Sequence, residues 1–146
     1  MYNSLMMDGY YKNEKGTQEA YKGKHITTGD VAIRDEDGYY YIVDRVKDMI
    51  IRGGVNIYPA EIEGVLGQMP AIADVAVVGK PDENLGESVV AFIVTQQGAS
   101  VSDEEIQQFC ADKMANFKIP SIIIVMDELP RTPTGKLLKR ELREQL

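Results

Sequence analysis

Three short, uninterrupted apolar runs constrain this chain more than anything else in it: residues 75–78, 89–95 and 122–125. A strand without polar alternation is buried on both faces, so helices must cover both sides of the sheet these runs form. The intervening segments supply those helices. One starts at Pro59, a favoured first-turn residue, places Ile62, Val65, Leu66 and Met69 at helical spacing, and stops at Pro70. A second is announced by Ser102 as N-cap with Glu105 three residues on, Val101 being set to staple onto Ile106. Its apolar face is Ile106, Phe109, Cys110 and Met114. A third begins near Leu137, with Leu138, Leu142 and Leu146 inward and Lys139, Arg140 and Arg143 outward. The expected class is α+β: a small three-stranded sheet with helices packed on its faces. Residues 79–84 read as a turn. The βαβ periodicity and Gly-rich fingerprint of a dinucleotide fold are not spelled.

Upstream, residues 31–34 and 39–43 flank Asp35-Glu36-Asp37-Gly38, a hairpin signal. A charged linker, Asp44-Arg45-Val46-Lys47-Asp48, follows. Residues 49–51 make a short apolar strand, which Gly53-Gly54 breaks into a flexible loop. Residues 1–29 show neither helical nor strand periodicity and read as an irregular piece of a larger body.

A chain of 146 residues holds one core, or one core with a small appendage. The net charge of −7 is uneven: residues 60–117 carry ten acids against two bases, and residues 118–146 six bases against four acids. An acidic body argues against nonspecific nucleic-acid binding. The basic end is either a solvated helix of mixed charge or a face turned to an anionic ligand. No apolar run is long enough to cross a bilayer, and the N-terminus lacks a signal-peptide layout. Cys110 is the only cysteine, which fits a reducing compartment and, with His25, leaves too few soft ligands for zinc.

Four places carry residue types suited to chemistry. Asp30, after Thr27-Thr28-Gly29, can accept two hydrogen bonds from a vicinal diol, or simply cap its own turn. Arg45 can bind a sugar or phosphate, or form a surface ion pair. Arg52-Gly53-Gly54 lets the backbone pass close to a thin substrate arm, or makes a plain tight turn. Lys136, delivered by Pro130-Arg131-Thr132-Pro133-Thr134-Gly135, can neutralise charge growing on a phosphate or carboxylate oxygen, or be merely solvated. This is no Walker A loop, because the upstream glycine is missing and Leu137 replaces the required Ser or Thr. No catalytic triad is spelled, and His25 is read as structural.

In this order the pieces resemble the adenylate-forming superfamily of acyl-CoA synthetases, peptide-synthetase adenylation domains and luciferases. The similarity covers nearly the whole chain. Met7-Asp8-Gly9-Tyr10 with Thr28-Gly29-Asp30 looks like the end of the family's large N-terminal domain. The stretch from Asp44 to Glu63 looks like the hinge and first C-terminal motif. Lys80-Pro81-Asp82 with Gly86-Glu87, and residues 131–142, match later signatures. Departures are His25, where many relatives carry an aromatic residue, and Val55, where they carry Glu.

The resemblance implies that residues 1–46 are the tail of the large adenylation domain, including the hairpin, and residues 47–146 a mobile lid hinged at Lys47. It implies that Asp30 is the ribose-binding carboxylate and Arg45 a second ribose or phosphate contact. Gly53 and Gly54 then line the CoA channel, and Lys136 bridges substrate carboxylate and α-phosphate during adenylation. The implied activity is that of an AMP-forming acid–thiol ligase, a fatty-acid or aryl-acid acyl-CoA synthetase, with fatty-acid metabolism in the cytoplasm as its setting. A small carboxylic acid and ATP give acyl-AMP, and CoA then takes the acyl group. ATP, CoA and Mg2+ are held mainly by the N-terminal domain, this chain's chief partner; no metal ligand, nucleic acid or transmembrane segment is implied here. The family's phosphate loop and its adenine and acyl pockets are not among these residues, so the chain alone is expected to be inactive. One lid cannot present Lys136 and the diglycine at once, so it must rotate between steps. The alternatives are the lid of an adenylation domain that loads a carrier protein, or a non-catalytic binding module derived from this fold. Ile57-Tyr58-Pro59-Ala60-Glu61 looks more like a CoA ligase.

Overall fold

The computed structural model describes residues 6–146; the first five residues of the segment assigned to a preceding domain lie outside the described residues. The chain divides into two compact units, one ending at Val46 and one running from Lys47 to Leu146. The division falls within a single turn of 3-10 helix, Val46–Asp48.

The first unit contains α1 (Glu14–Ala20), the two-residue strands β1 (Tyr21–Lys22) and β2 (His25–Ile26), and a hairpin of β3 (Asp30–Arg34) with β4 (Tyr40–Arg45). The short helix was not foreseen. It lacks an apolar stripe and is set off by Asn13, whose side chain accepts the Gly16 amide at 2.9 Å. Among the described residues of this unit none is buried, and Ile33, Tyr39, Tyr40, Tyr41 and Ile42 are exposed along the hairpin. A lone two-stranded hairpin with bare aromatic faces has no core of its own.

The second unit holds the core. Its sheet is built from β5 (Ile50–Arg52), β6 (Val55–Ile57), β7 (Ile72–Asp82), β8 (Gly86–Thr95) and β9 (Ile122–Val125), with α2 (Pro59–Leu66), α3 (Asp103–Ala111) and α4 (Lys139–Arg143) packed on it. The class is α+β, as expected. The sheet has five strands instead of three, ordered β6-β5-β8-β7 with β9 pairing parallel to β8. Residues alternate along β7 and β8: Val77, Val89, Ala91 and Ile93 face a cluster with Ile62, Leu66, Ile106 and Cys110. Ala76, Val78, Val90 and Phe92 face a second cluster with Leu129 and Leu142. Helices α2 and α3 therefore cover one face and α4 the other, which is why the runs carry no polar alternation.

Several local expectations are corrected. Residues 79–82 are not a turn: β7 continues through Pro81, and only Glu83, Asn84 and Leu85 separate it from β8. Pro81 is tolerated because β7 ends one side of the strand order, where a missing donor costs the ladder nothing. Gly53-Gly54 is not a flexible loop but the turn of a two-residue hairpin, with Arg52 opposite Val55. Both glycines sit at positive φ, +57° and +79°, as a type I′ turn requires. A β8–α3–β9 parallel crossover is present, although no βαβ unit was read from the sequence. Finally, Lys139 and Arg143 do not point outward. Lys139 pairs with Glu63 at 2.7 Å and Arg143 with Asp48 at 2.8 Å, and only Arg140 stays fully at the surface.

Candidate functional site

Each residue with chemical promise is placed by local structure. Asp30 opens β3 and Arg45 closes β4, directly opposite one another in the ladder. The guanidinium Nε donates to Asp30 Oδ1 at 3.2 Å, and Thr28 Oγ1 accepts the Asp30 amide at 3.2 Å. Sequence spacing kept these two residues apart. The ladder sets a carboxylate acceptor beside a guanidinium with further donors, a pair complementary to a hydroxylated, anionic ligand.

In the second unit, the Gly53-Gly54 turn is held against the β7–β8 hairpin tip: the Gly53 amide donates to the Leu85 carbonyl at 2.7 Å, and Arg52 pairs with Gly86. A Cβ built on either glycine would meet nothing within 4 Å. The glycines are therefore required by their backbone angles, and the space over them is open. Arg52, which precedes the turn, borders an open cleft of about 530 Å3 together with Glu104, Gln107, Gln108, Asn116 and Ser121. Arg52 is fixed by donating to the Phe117 carbonyl at 2.7 Å. At the same hairpin tip, the amides of Asn84 and Leu85 each donate to Asp82 Oδ1 at 3.0 Å, which holds this carboxyl below the usual range.

Lys136 ends a tight loop closed by a bridge between Arg131 and Leu137. The Thr132 amide donates to the Lys136 carbonyl at 2.8 Å, and the Lys136 amide donates to Thr132 Oγ1 at 3.0 Å. Gly135 takes φ +83° to let the chain turn. The backbone of the lysine is thus pinned while its side chain is exposed, with no ion pair among the described residues. Arg131 ties the loop down, donating to Gly135 at 2.8 Å and to Asp74 at 2.6 Å.

Asp74 stands near the start of β7 and Asp82 at its end. Eight strand residues span about 26 Å, so the Lys136 loop and the diglycine turn are anchored at opposite ends of one hairpin. They are not neighbours on a single surface. Cys110 is fully buried among core residues, and burial raises its thiol pKa, which leaves it inert. Among the described residues no group of three or more His, Cys, Asp or Glu is placed to hold a metal ion, and no helix is long and apolar enough to cross a membrane.

Fold and site together define a small α+β domain that offers two separated edges, the Lys136 loop and the diglycine turn. The chain belongs to the AMP-binding enzyme C-terminal domain family, whose sequence model matches residues 61–136. It is 48% identical over 141 residues to the putative acyl-CoA synthetase YngI of Bacillus subtilis, covering 96% of this chain and 26% of that protein. It is 43% identical over 143 residues to the long-chain-fatty-acid–CoA ligase FadD13 of Mycobacterium tuberculosis, covering 98% of this chain and 28% of that one. The o-succinylbenzoate CoA synthetase (MenE) of Bacillus subtilis, solved with its acyl-adenylate intermediate OSB-AMP, superposes with a TM-score of 0.85 at 37% identity, covering 94% and 28% of the two chains. This chain spans little more than a quarter of the length of these relatives.

Proposed function

We propose that this chain is the C-terminal closing domain, with its hinge and a tail of the preceding domain, of an AMP-forming acyl-CoA synthetase. The observation that carries the reading is the placement of Lys136 and Gly53-Gly54 at opposite ends of the β7–β8 hairpin. Edges anchored at opposite ends of a strand stretch that spans about 26 Å do not close one site together, so they serve in turn as the domain rotates about Lys47. In the first orientation the Lys136 ammonium lies between the substrate carboxylate and the α-phosphate. A carboxylate oxygen bonds to the α-phosphorus, the bond to the bridging oxygen breaks, and pyrophosphate leaves. Lys136 offsets the charge that accumulates on the phosphoryl oxygens. In the second orientation the diglycine turn faces the pantetheine arm. The thiol sulfur bonds to the acyl carbon, the thiol proton is lost, and AMP departs with the acyl–oxygen electron pair.

Asp30 and Arg45 bind the ribose and adjacent phosphate of the nucleotide. Mg2+ travels with ATP and is held by the preceding domain. The absence of any buried residue among the described residues before Asp48 supports residues 1–46 as the edge of that larger body. A single, buried cysteine suits the cytoplasm. The reading is tested by assaying the full-length protein and the isolated chain for carboxylate-dependent ATP–pyrophosphate exchange and for CoA thioester formation. The full-length protein does both and the isolated chain neither. Exchange catalysed by the isolated chain, or no acid-dependent activity in the full-length protein, contradicts it.

A further inference from the structure

The β7–β8 hairpin does more than separate the two edges, because a carboxylate on it helps to fasten each one. At the Asp74 end, Asp74 Oδ2 accepts from Arg131 Nη2 at 2.6 Å while Arg131 Nη1 donates to the Gly135 carbonyl at 2.8 Å. One guanidinium thus spans from the sheet to the residue before Lys136. At the other end, Glu87 Oε2 accepts the Ile51 amide at 2.6 Å. This bond supplements a junction made by one ladder pair, Arg52 with Gly86, and by the Gly53 amide on the Leu85 carbonyl. The sheet makes room for that carboxylate: a Cβ on Gly79 would stand 2.5 Å from Glu87 Oε1. Glycine at 79 is therefore needed for Glu87 to lie where it can hold β5, and with it the diglycine turn.

We propose that Asp74 and Glu87 are positioning residues, each for one half-reaction: Asp74, through Arg131, for adenylation, and Glu87, through the Ile51 amide, for thioester formation. This rests on the roles given above to Lys136 and Gly53-Gly54. Neither carboxylate touches substrate. Each holds a turn in register, and a misplacement of about 1 Å at a reacting edge costs on the order of a hundredfold in rate.

The test measures both half-reactions separately in the full-length protein, as acid-dependent ATP–pyrophosphate exchange and as conversion of added acyl-adenylate and CoA to thioester. Asp74→Ala lowers the first at least about tenfold and spares the second; Glu87→Ala does the reverse. Glu87→Gln keeps an acceptor oxygen and restores thioester formation, whereas Gly79→Ala pushes the carboxylate aside and reproduces the Glu87→Ala defect. A variant that merely loosens the fold depresses both steps together, and that outcome for either carboxylate overturns the proposal, as does no effect on either step. Gly54→Asn separates this failure from failure of the underlying reading. Asn tolerates the left-handed backbone and fills the open space, so thioester formation unaffected by Gly54→Asn refutes the role of the turn itself. A loss with Gly54→Asn but none with Glu87→Ala refutes only the positioning role.

Discussion

Lys139 Nζ lies 2.7 Å from Glu63 Oε1, and that same oxygen accepts the Val77 amide at 2.8 Å. One carboxylate on α2 therefore covers an unpaired strand donor on β7 and captures the first residue of α4, joining helices from opposite faces of the sheet. Both side chains are mostly buried, 14% and 22% exposed, so solvent screens the pair only partly. Glu63→Ala should destabilise the domain by about 1–3 kcal/mol, because it strands both a strand amide and a shielded ammonium. Lys139→Ala should cost less, since the Val77 bond survives. Urea unfolding of the two variants and the double variant checks the order, and equal losses contradict it.

Phe92 is fully buried in the cluster beneath α4. Phe92→Ala should cost about 3–5 kcal/mol, read as a lowered urea midpoint. Ser102→Ala removes the reciprocal capping box of α3, in which Glu105 accepts the Ser102 amide at 2.8 Å, and should cost about 1 kcal/mol by the same measurement.

The Asp82 carboxylate yields a pH dependence. Two backbone amides, and to a lesser degree Arg52, favour its ionised form, so its folded pKa lies below the ordinary value of about 3.9. The unfolded chain then binds its proton at higher pH than the folded chain. The stabilisation is fully present above about pH 4 and is lost as pH falls through the lowered folded value. Asp82→Asn should remove this component of the acid limb while leaving the slope above pH 5 unchanged; a stability difference from the unsubstituted protein that stays constant down to pH 2 contradicts it.

What could be read in the sequence was what is local. Pro59 at the first turn of α2 and the Ser102–Glu105 box of α3 act over three residues and stand in the structure as expected. The apolar runs of β7 and β8 announced burial on both faces for the same reason, whereas β9 is only partly buried and leaves Val125 exposed. Lys139 and Arg143 were turned the wrong way because their partners, Glu63 and Asp48, are distant in sequence and leave no periodic trace near α4. The β6 strand was missed because two glycines spell a loop and a type I′ turn equally well. At the candidate site, residue type left Asp30, Arg45 and Lys136 with two readings each, and only the resemblance to a family favoured the functional one. Arg131 and Glu87 were visible only as parts of motifs and Asp74 was not singled out, since an ion pair or a carboxylate cap to a residue distant in sequence leaves no local trace.

The central claim is that opposite ends of this domain serve successive steps, and the Lys136→Ala variant of the full-length protein tests it most directly. Acid-dependent ATP–pyrophosphate exchange should fall by about a hundredfold or more, while added acyl-adenylate and CoA still yield thioester at the rate of the unsubstituted protein. Equal loss in both half-reactions, or full retention of exchange, would contradict the account.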